Sequence, residues 1–287
     1  MLQFVPPCLN TILDTLSLSV LGCNVRAECQ DAEVLSLLAA NYGCMQGDLA
    51  AADLHYIVGR KKVSPAFIIM RDGQEPIIAS DDGEFLYLFE KDTTVELQKL
   101  RRDLYFVHAA VLEFAGRAFM LVAASGGGKS ITTWALLHHG FRYLSDELAP
   151  VNLETMEVYP YPHALCLKDQ PPGAYPLPEK ILCTSRTLHV PTEELPSGIG
   201  IGPTPLAAVL FLRYSPKASA PTMVPISKAG AGARLFASAL NPLAHPGDGL
   251  DGAIEIVTRS ACFELITADL PATCALVKAT LEELFRI

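Results

Sequence analysis

Three consecutive glycines, Gly126, Gly127 and Gly128, run into Lys129 and Ser130 within LVAASGGGKSITTWALLHHG (121–140). Glycines in a row permit positive φ and close backbone approach, so neighbouring N–H groups can turn into one concavity. A helix starting there adds unpartnered N–H groups and the positive end of its dipole. This is the chemistry of a cradle for nucleotide phosphates. The amides of Ser125, Gly126, Gly127, Gly128, Lys129, Ser130 and Ile131 would surround the oxygens. The Lys129 ammonium would reach the β- and γ-phosphates, and the Ser130 hydroxyl would ligate Mg²⁺. The pattern approximates GxxxxGK[ST], with Ala123 at its first position.

A second constellation follows in SDEL (145–148), where Asp146 and Glu147 close the strand-like run FRYL. Parallel βαβ wiring predicts that this strand returns beside the one feeding the glycines. The acids would then emerge at the same sheet edge as the phosphates. One carboxylate can hold Mg²⁺ while the other takes the proton of an attacking hydroxyl.

VHAAVLEFAGRAFMLVAASGGGKS and GFRYLSDELAPV together resemble the core of the HPr kinase/phosphorylase family and the HPr-kinase-related kinases of bacterial biosynthetic gene clusters. The resemblance covers about 105–170 and is faint beyond 205. It implies a P-loop-containing, phosphoenolpyruvate-carboxykinase-like α/β core that uses ATP and Mg²⁺ to phosphorylate a serine hydroxyl on a peptide or small protein. By the same resemblance Asp146 activates the acceptor and Glu147, where the family usually carries aspartate, sits near the metal. His108 matches a strand histidine near the acids, and the core family is homo-oligomeric. Read from the residues alone, His108 is a buried strand histidine, and a nucleotide-binding regulator or a small-molecule kinase stays open.

Three pieces of chain must position these groups. Residues 1–98 are expected to form a small α/β domain, with a strand at 16–22 and a helix at 31–43. AFIIM, EPIIAS and EFLYLFE would make an antiparallel meander around the turn signals RDGQ and SDDG. Residues 99–287 would form the kinase-like domain, with a hairpin turning at Ala115-Gly116, a helix ending at Gly140, and a hairpin arm in VNLETMEVYPY. The proline- and glycine-rich stretch 171–205 has the composition of a mobile connection. A strand at 207–214, a helix at 227–241 capped by Ser227, a strand at 262–267 and a closing amphipathic helix follow. Lys168, Arg213 and Arg234 are secondary candidates for phosphate or transition-state charge. His138, His139 and Trp134 read as helix-end and core residues.

The 287 residues carry 22 basic and 31 acidic side chains, a net charge of −9. An acidic chain without a basic block does not hold nucleic acid or anionic lipid by charge. Any bound phosphate must therefore be held locally. The eight cysteines include no CxxC pair, which argues against zinc and for reduced thiols. The N-terminal MLQFVPPCLN lacks a basic start, so no signal peptide is expected. No run approaches the ~18 apolar residues of a membrane span. The expectation is a cytoplasmic protein without membrane partners.

Overall fold

The computed structural model describes residues 14–48, 51–61 and 66–286 as a mixed α/β molecule with several sheets. The reading of the first ten residues as lacking a leader falls outside the described residues. Among those described, no helix is long and apolar enough to cross a membrane.

The N-terminal part pairs β1 (Asp14–Val20) with β2 (Cys23–Cys29), then reaches α1 (Ala32–Tyr42). The Asp31 carboxylate caps α1 by accepting from Val34 N at 2.8 Å. Next come β3 (Leu54–Arg60), β4 (Phe67–Arg71) and β5 (Ile77–Ala79), completing a sheet in chain order β1 to β5. The expected meander stops there. EFLYLFE belongs to the nineteen-residue helix α2 (Asp82–Leu100), not to a strand. Asp81 accepts from Glu84 N, and the Glu84 carboxylate reaches back to Ser80 N, so SDDG opens a capped helix instead of a hairpin. Phe85, Phe89, Thr93 and Leu97 recur every four residues and are all buried, the helical period continuing past the short apolar run.

The larger sheet holds β6 (Leu104–Val107), β7 (Ala110–Phe114), β8 (Arg117–Val122), β9 (Arg142–Ser145), β10 (Ala149–Asn152) and β11 (Glu157–Val158). The helix α3 (Lys129–Leu137) leaves the end of β8 through the glycines. Ala115 and Gly116 both have positive φ, as a two-residue type I′ hairpin turn requires. The proline- and glycine-rich stretch 171–205, whose composition suggests a mobile connection, carries regular structure. It contributes β13 (Leu182–Cys183) and β14 (Leu188–Val190), which with β12 (Leu165–Leu167) form a three-stranded antiparallel sheet. Its anchors are tertiary: Trp134 Nε1 donates to Tyr175 O at 2.9 Å, Tyr175 is buried, and Arg142 donates to Ile199 O at 2.6 Å.

The chain then enters β15 (Thr204–Tyr214), β16 (Thr222–Pro225), α4 (Lys228–Phe236), α5 (Leu250–Arg259), β17 (Ala261–Thr267) and α6 (Leu270–Phe285). Across the large sheet the order is β6-β10-β11-β15-β8-β7-β9, with β17 also pairing β15 and β16 pairing β17. One face carries Leu121, Leu210 and Leu212 against Trp134 of α3 and Val277 of α6. The other carries Met120, Val209 and Phe211 against Leu235 of α4 and Ile256 of α5. The N-terminal sheet shares its core with Leu104, Phe106, Leu148 and Tyr161 of the second part.

Candidate functional site

β8 and β15 are parallel, and β7 runs antiparallel to both β8 and β9. β9 therefore points the same way as β8 but lies one strand further out, with β7 between them. The expected adjacency of β9 and β8 is thus corrected, because the Ala115-Gly116 hairpin occupies that position. The C-terminal ends of β8, β9 and β15 still open onto one edge.

Two chain crossings at that edge gather the polar groups. Between β6 and β7 the chain leaves one half of the sheet for the other at His108-Ala109. It crosses again between β9 and β10 at Asp146, Glu147 and Leu148. Val107 pairs with Ala149 and Val111 with Ser145, so the two crossings lie side by side. His108 N–H donates to Ser238 O at 2.8 Å, which pins its crossing to the segment after α4. Asn241 seals the edge of β6 nearby, accepting from Phe106 N and donating to Leu104 O.

The loop between β8 and α3 is a tight turn. Gly127 N–H donates to Ala124 O at 2.9 Å, with Gly126 at φ +76° in the third position of the turn, where a type II geometry calls for glycine. Gly128 precedes the helix at φ +90°, and no side chain caps the helix start. A Cβ on Gly127 would lie 2.9 Å from Ala124 O, so this position excludes a side chain for steric reasons. The first three helical N–H groups, of Lys129, Ser130 and Ile131, have no intrahelical acceptor. Of the sequence-predicted loop amides, that of Gly127 is engaged within the turn.

Lys129 is 8% exposed. Its ammonium donates to Asp146 O at 2.5 Å and to Glu147 Oε2 at 3.1 Å, and lies 3.5 Å from His108 Nε2. His108 Nδ1 is 3.3 Å from Glu147 Oε2. The two acids differ sharply. Asp146 is 0% exposed and neither carboxylate oxygen has a hydrogen-bond partner. Burial raises its pKa from 3.8 to about 6, against the opposing pull of Lys129. Ser130 lies near enough to lower that value, without hydrogen-bond geometry to either oxygen. The Glu147 side chain is 39% exposed. Burial pushes its pKa up, but the Lys129 and His108 charges prevail and hold it below the usual carboxylate value. Burial, then Lys129, lowers the pKa of His108 from its ordinary value, against the opposing pull of Glu147.

Asp146 and Ser130 form a hard-oxygen pair suited to Mg²⁺, which commonly takes one or two protein ligands and completes its shell with water and phosphate. The unpartnered oxygens of Asp146 are the observation that fits such an ion. Among the described residues, no group of three or more His, Cys, Asp and Glu side chains forms a self-sufficient metal cage.

Lys168 joins the site, its ammonium 3.4 Å from Ser125 Oγ. Arg234 is engaged elsewhere, with Glu264 at 3.0 Å. Arg213 and Tyr214 end β15, both exposed. His138 packs edge-on against Trp134, and His139 meets the Tyr175 hydroxyl at 2.9 Å. A second polar cluster, unnoticed in the sequence, surrounds His163, which lies 3.4 Å from Glu90, and His189, which lies 3.2 Å from Cys166 Sγ. These residues are scattered along the chain, so no local spacing could reveal them.

No protein-family model matches the chain, and no curated protein matches it. Among solved structures it is similar to the HPr(Ser) kinase/phosphatase from Coxiella burnetii, at 11% identity and a TM-score of 0.32. That likeness covers 63% of this chain and 93% of the other.

Proposed function

We propose that the chain is an ATP- and Mg²⁺-dependent phosphotransferase with a P-loop-containing, HPr-kinase-like core spanning 99–287 and an accessory α/β unit before it. It transfers the γ-phosphate to a hydroxyl, a serine of a peptide or small protein being the preferred acceptor. The observation that carries this reading is the contrast between adjacent acids beside an uncapped helix start: Asp146 buried and unpartnered, Glu147 open and ion-paired.

The contrast argues for exchanging the roles expected from the sequence. A base must be reached by the acceptor hydroxyl, which suits the half-exposed Glu147 better than the sealed Asp146. A metal ligand needs unengaged oxygens beside the helix serine, which suits Asp146 with Ser130. Mg²⁺, when bound, would neutralise charge developing on the phosphate oxygens. The helix-start amides would hold those oxygens together with the Lys129 ammonium. His108 keeps the Glu147 carboxylate oriented toward the open edge.

A competing reading, a nucleotide sensor without transfer, draws on the ties of Lys129 to Asp146 O and Glu147, since nucleotide must displace them. One assay separates the two. With γ-labelled ATP, Mg²⁺ and candidate serine peptides, the wild-type chain should label the peptide. Glu147→Gln should keep nucleotide affinity yet transfer about 10²–10⁴-fold more slowly. Binding without labelling by the wild-type chain would favour the sensor, and undiminished labelling by the variant would remove Glu147 as the base.

A further inference from the structure

The strands on either side of β8 end very differently. Beyond β7 lies β9 with Asp146 and Glu147; directly on the other flank lies β15, ending in Arg213-Tyr214. Side chains alternate along a strand, so Tyr214 shares a face with Leu210 and Leu212. Both leucines pack in the core formed with α3 and α6. Tyr214 continues that row one step past the core, where it stands over the start of α3, 53% exposed. A Cβ built on Gly128 would lie 3.8 Å from Tyr214 Cβ, 3.8 Å from Ile131 Cγ2 and 3.7 Å from Leu212 Cδ2. The last glycine of the loop thus sits in a notch formed by Leu212, Ile131 and the base of the exposed Tyr214 side chain.

A polyphosphate lying along the loop has two distinguishable ends. One faces the Lys129 ammonium, Asp146 and Glu147, where transfer would occur. The other faces Ile131 and Tyr214. We infer that Tyr214 is the stacking platform for the nucleotide's base, so the phosphoryl donor is a nucleoside triphosphate held at both ends and not an inorganic polyphosphate. The inference rests on the ATP-dependent reading proposed above and adds the residue that would meet the base, which that reading does not name. An exposed aromatic face stacks on any base, so the platform selects for a base without choosing among bases.

Calorimetric titration with Mg²⁺ and three probes, ATP, GTP and inorganic tripolyphosphate, tests it. Tyr214→Ala should weaken ATP and GTP alike by about five- to 150-fold, the range of a lost base–aromatic stack, while tripolyphosphate affinity stays unchanged. Tyr214→Phe keeps the ring and should restore both nucleotides. Unchanged ATP affinity in Tyr214→Ala, or an equal loss for ATP and tripolyphosphate, overturns the platform. If the wild-type chain binds none of the three, the loop reading itself fails and the platform with it; that result differs from a chain that binds ATP indifferently to Tyr214.

Discussion

Two polar clusters in this molecule are each built around a histidine and come to opposite ends. At the open edge, His108, Lys129 and Glu147 sit within 3.1–3.5 Å of one another, with the bare carboxylate of Asp146 behind them. Deeper in, where α1 and α2 meet the segment after β11, His189, Cys166 and Asn41 approach as closely. By residue type the second set invites comparison with a thiol nucleophile and its base. Its hydrogen bonds say otherwise. The His189 Nδ1 proton goes to Asn41 Oδ1 at 2.8 Å, and Nε2 accepts from the Thr187 hydroxyl at 2.7 Å. No nitrogen remains to take the thiol proton, which points to Ala164 O at 3.4 Å. Burial lowers the His189 pKa to about 4 and raises that of Cys166 well above its ordinary value, so both stay neutral. This cluster fastens the N-terminal unit to the second, as does Ala164 N–H donating to Asn41 O at 2.7 Å. Residue type proposes chemistry; access and unengaged atoms decide it.

Asp146→Asn should break the comparison most visibly in stability. A buried carboxyl raised from 3.8 to about 6 opposes folding wherever it is ionised. Above pH 6 both folded and unfolded states have lost the proton, and the penalty is complete, about 3 kcal/mol. As pH falls through 6 the folded state takes up its proton first, so wild-type stability rises until about pH 4. The variant should therefore be more stable than wild type at pH 8 by urea or thermal unfolding, with the gap closing toward pH 4. A destabilised variant at pH 8 would mean that Asp146 is structurally satisfied.

Asn41→Ala addresses the other cluster and should act in the opposite sense. It leaves the buried His189 N–H with only the weakly accepting Cys166 sulfur, 3.2 Å away, a loss of about 1–3 kcal/mol, with nucleotide affinity unchanged. A fall in affinity without a fall in stability would give the closed cluster a part in binding after all.

Much of the open edge was legible in advance because its signals are local. The order of strand, glycines, Lys-Ser and helix lies in consecutive residues, and Ser227 caps its helix as its type suggests. What escaped depends on partners distant in sequence. SDDG followed by an aromatic run looks like a turn and a strand until the period continues to Leu97. Residues 171–205 look unstructured because proline and glycine conceal the anchoring by Trp134 and Arg142. The strands β2 and β3 and the helix α5 were not anticipated. α5 begins LDGAIE, where glycine and β-branched residues weaken the helical signal, yet it buries Ala253, Ile256 and Val257 on one face. The contrast in burial between Asp146 and Glu147 follows from how two sheet crossings align, which adjacent acids in a sequence cannot express.

The central claim is that a bare helix start and one ammonium hold a polyanion beside those acids. Titrating MgATP into the wild-type chain and into Lys129→Ala tests it most directly. Saturable binding is expected for the wild type, weakened at least about tenfold in the variant by loss of a charge-assisted contact to phosphate. Equal affinity in the two proteins would contradict it.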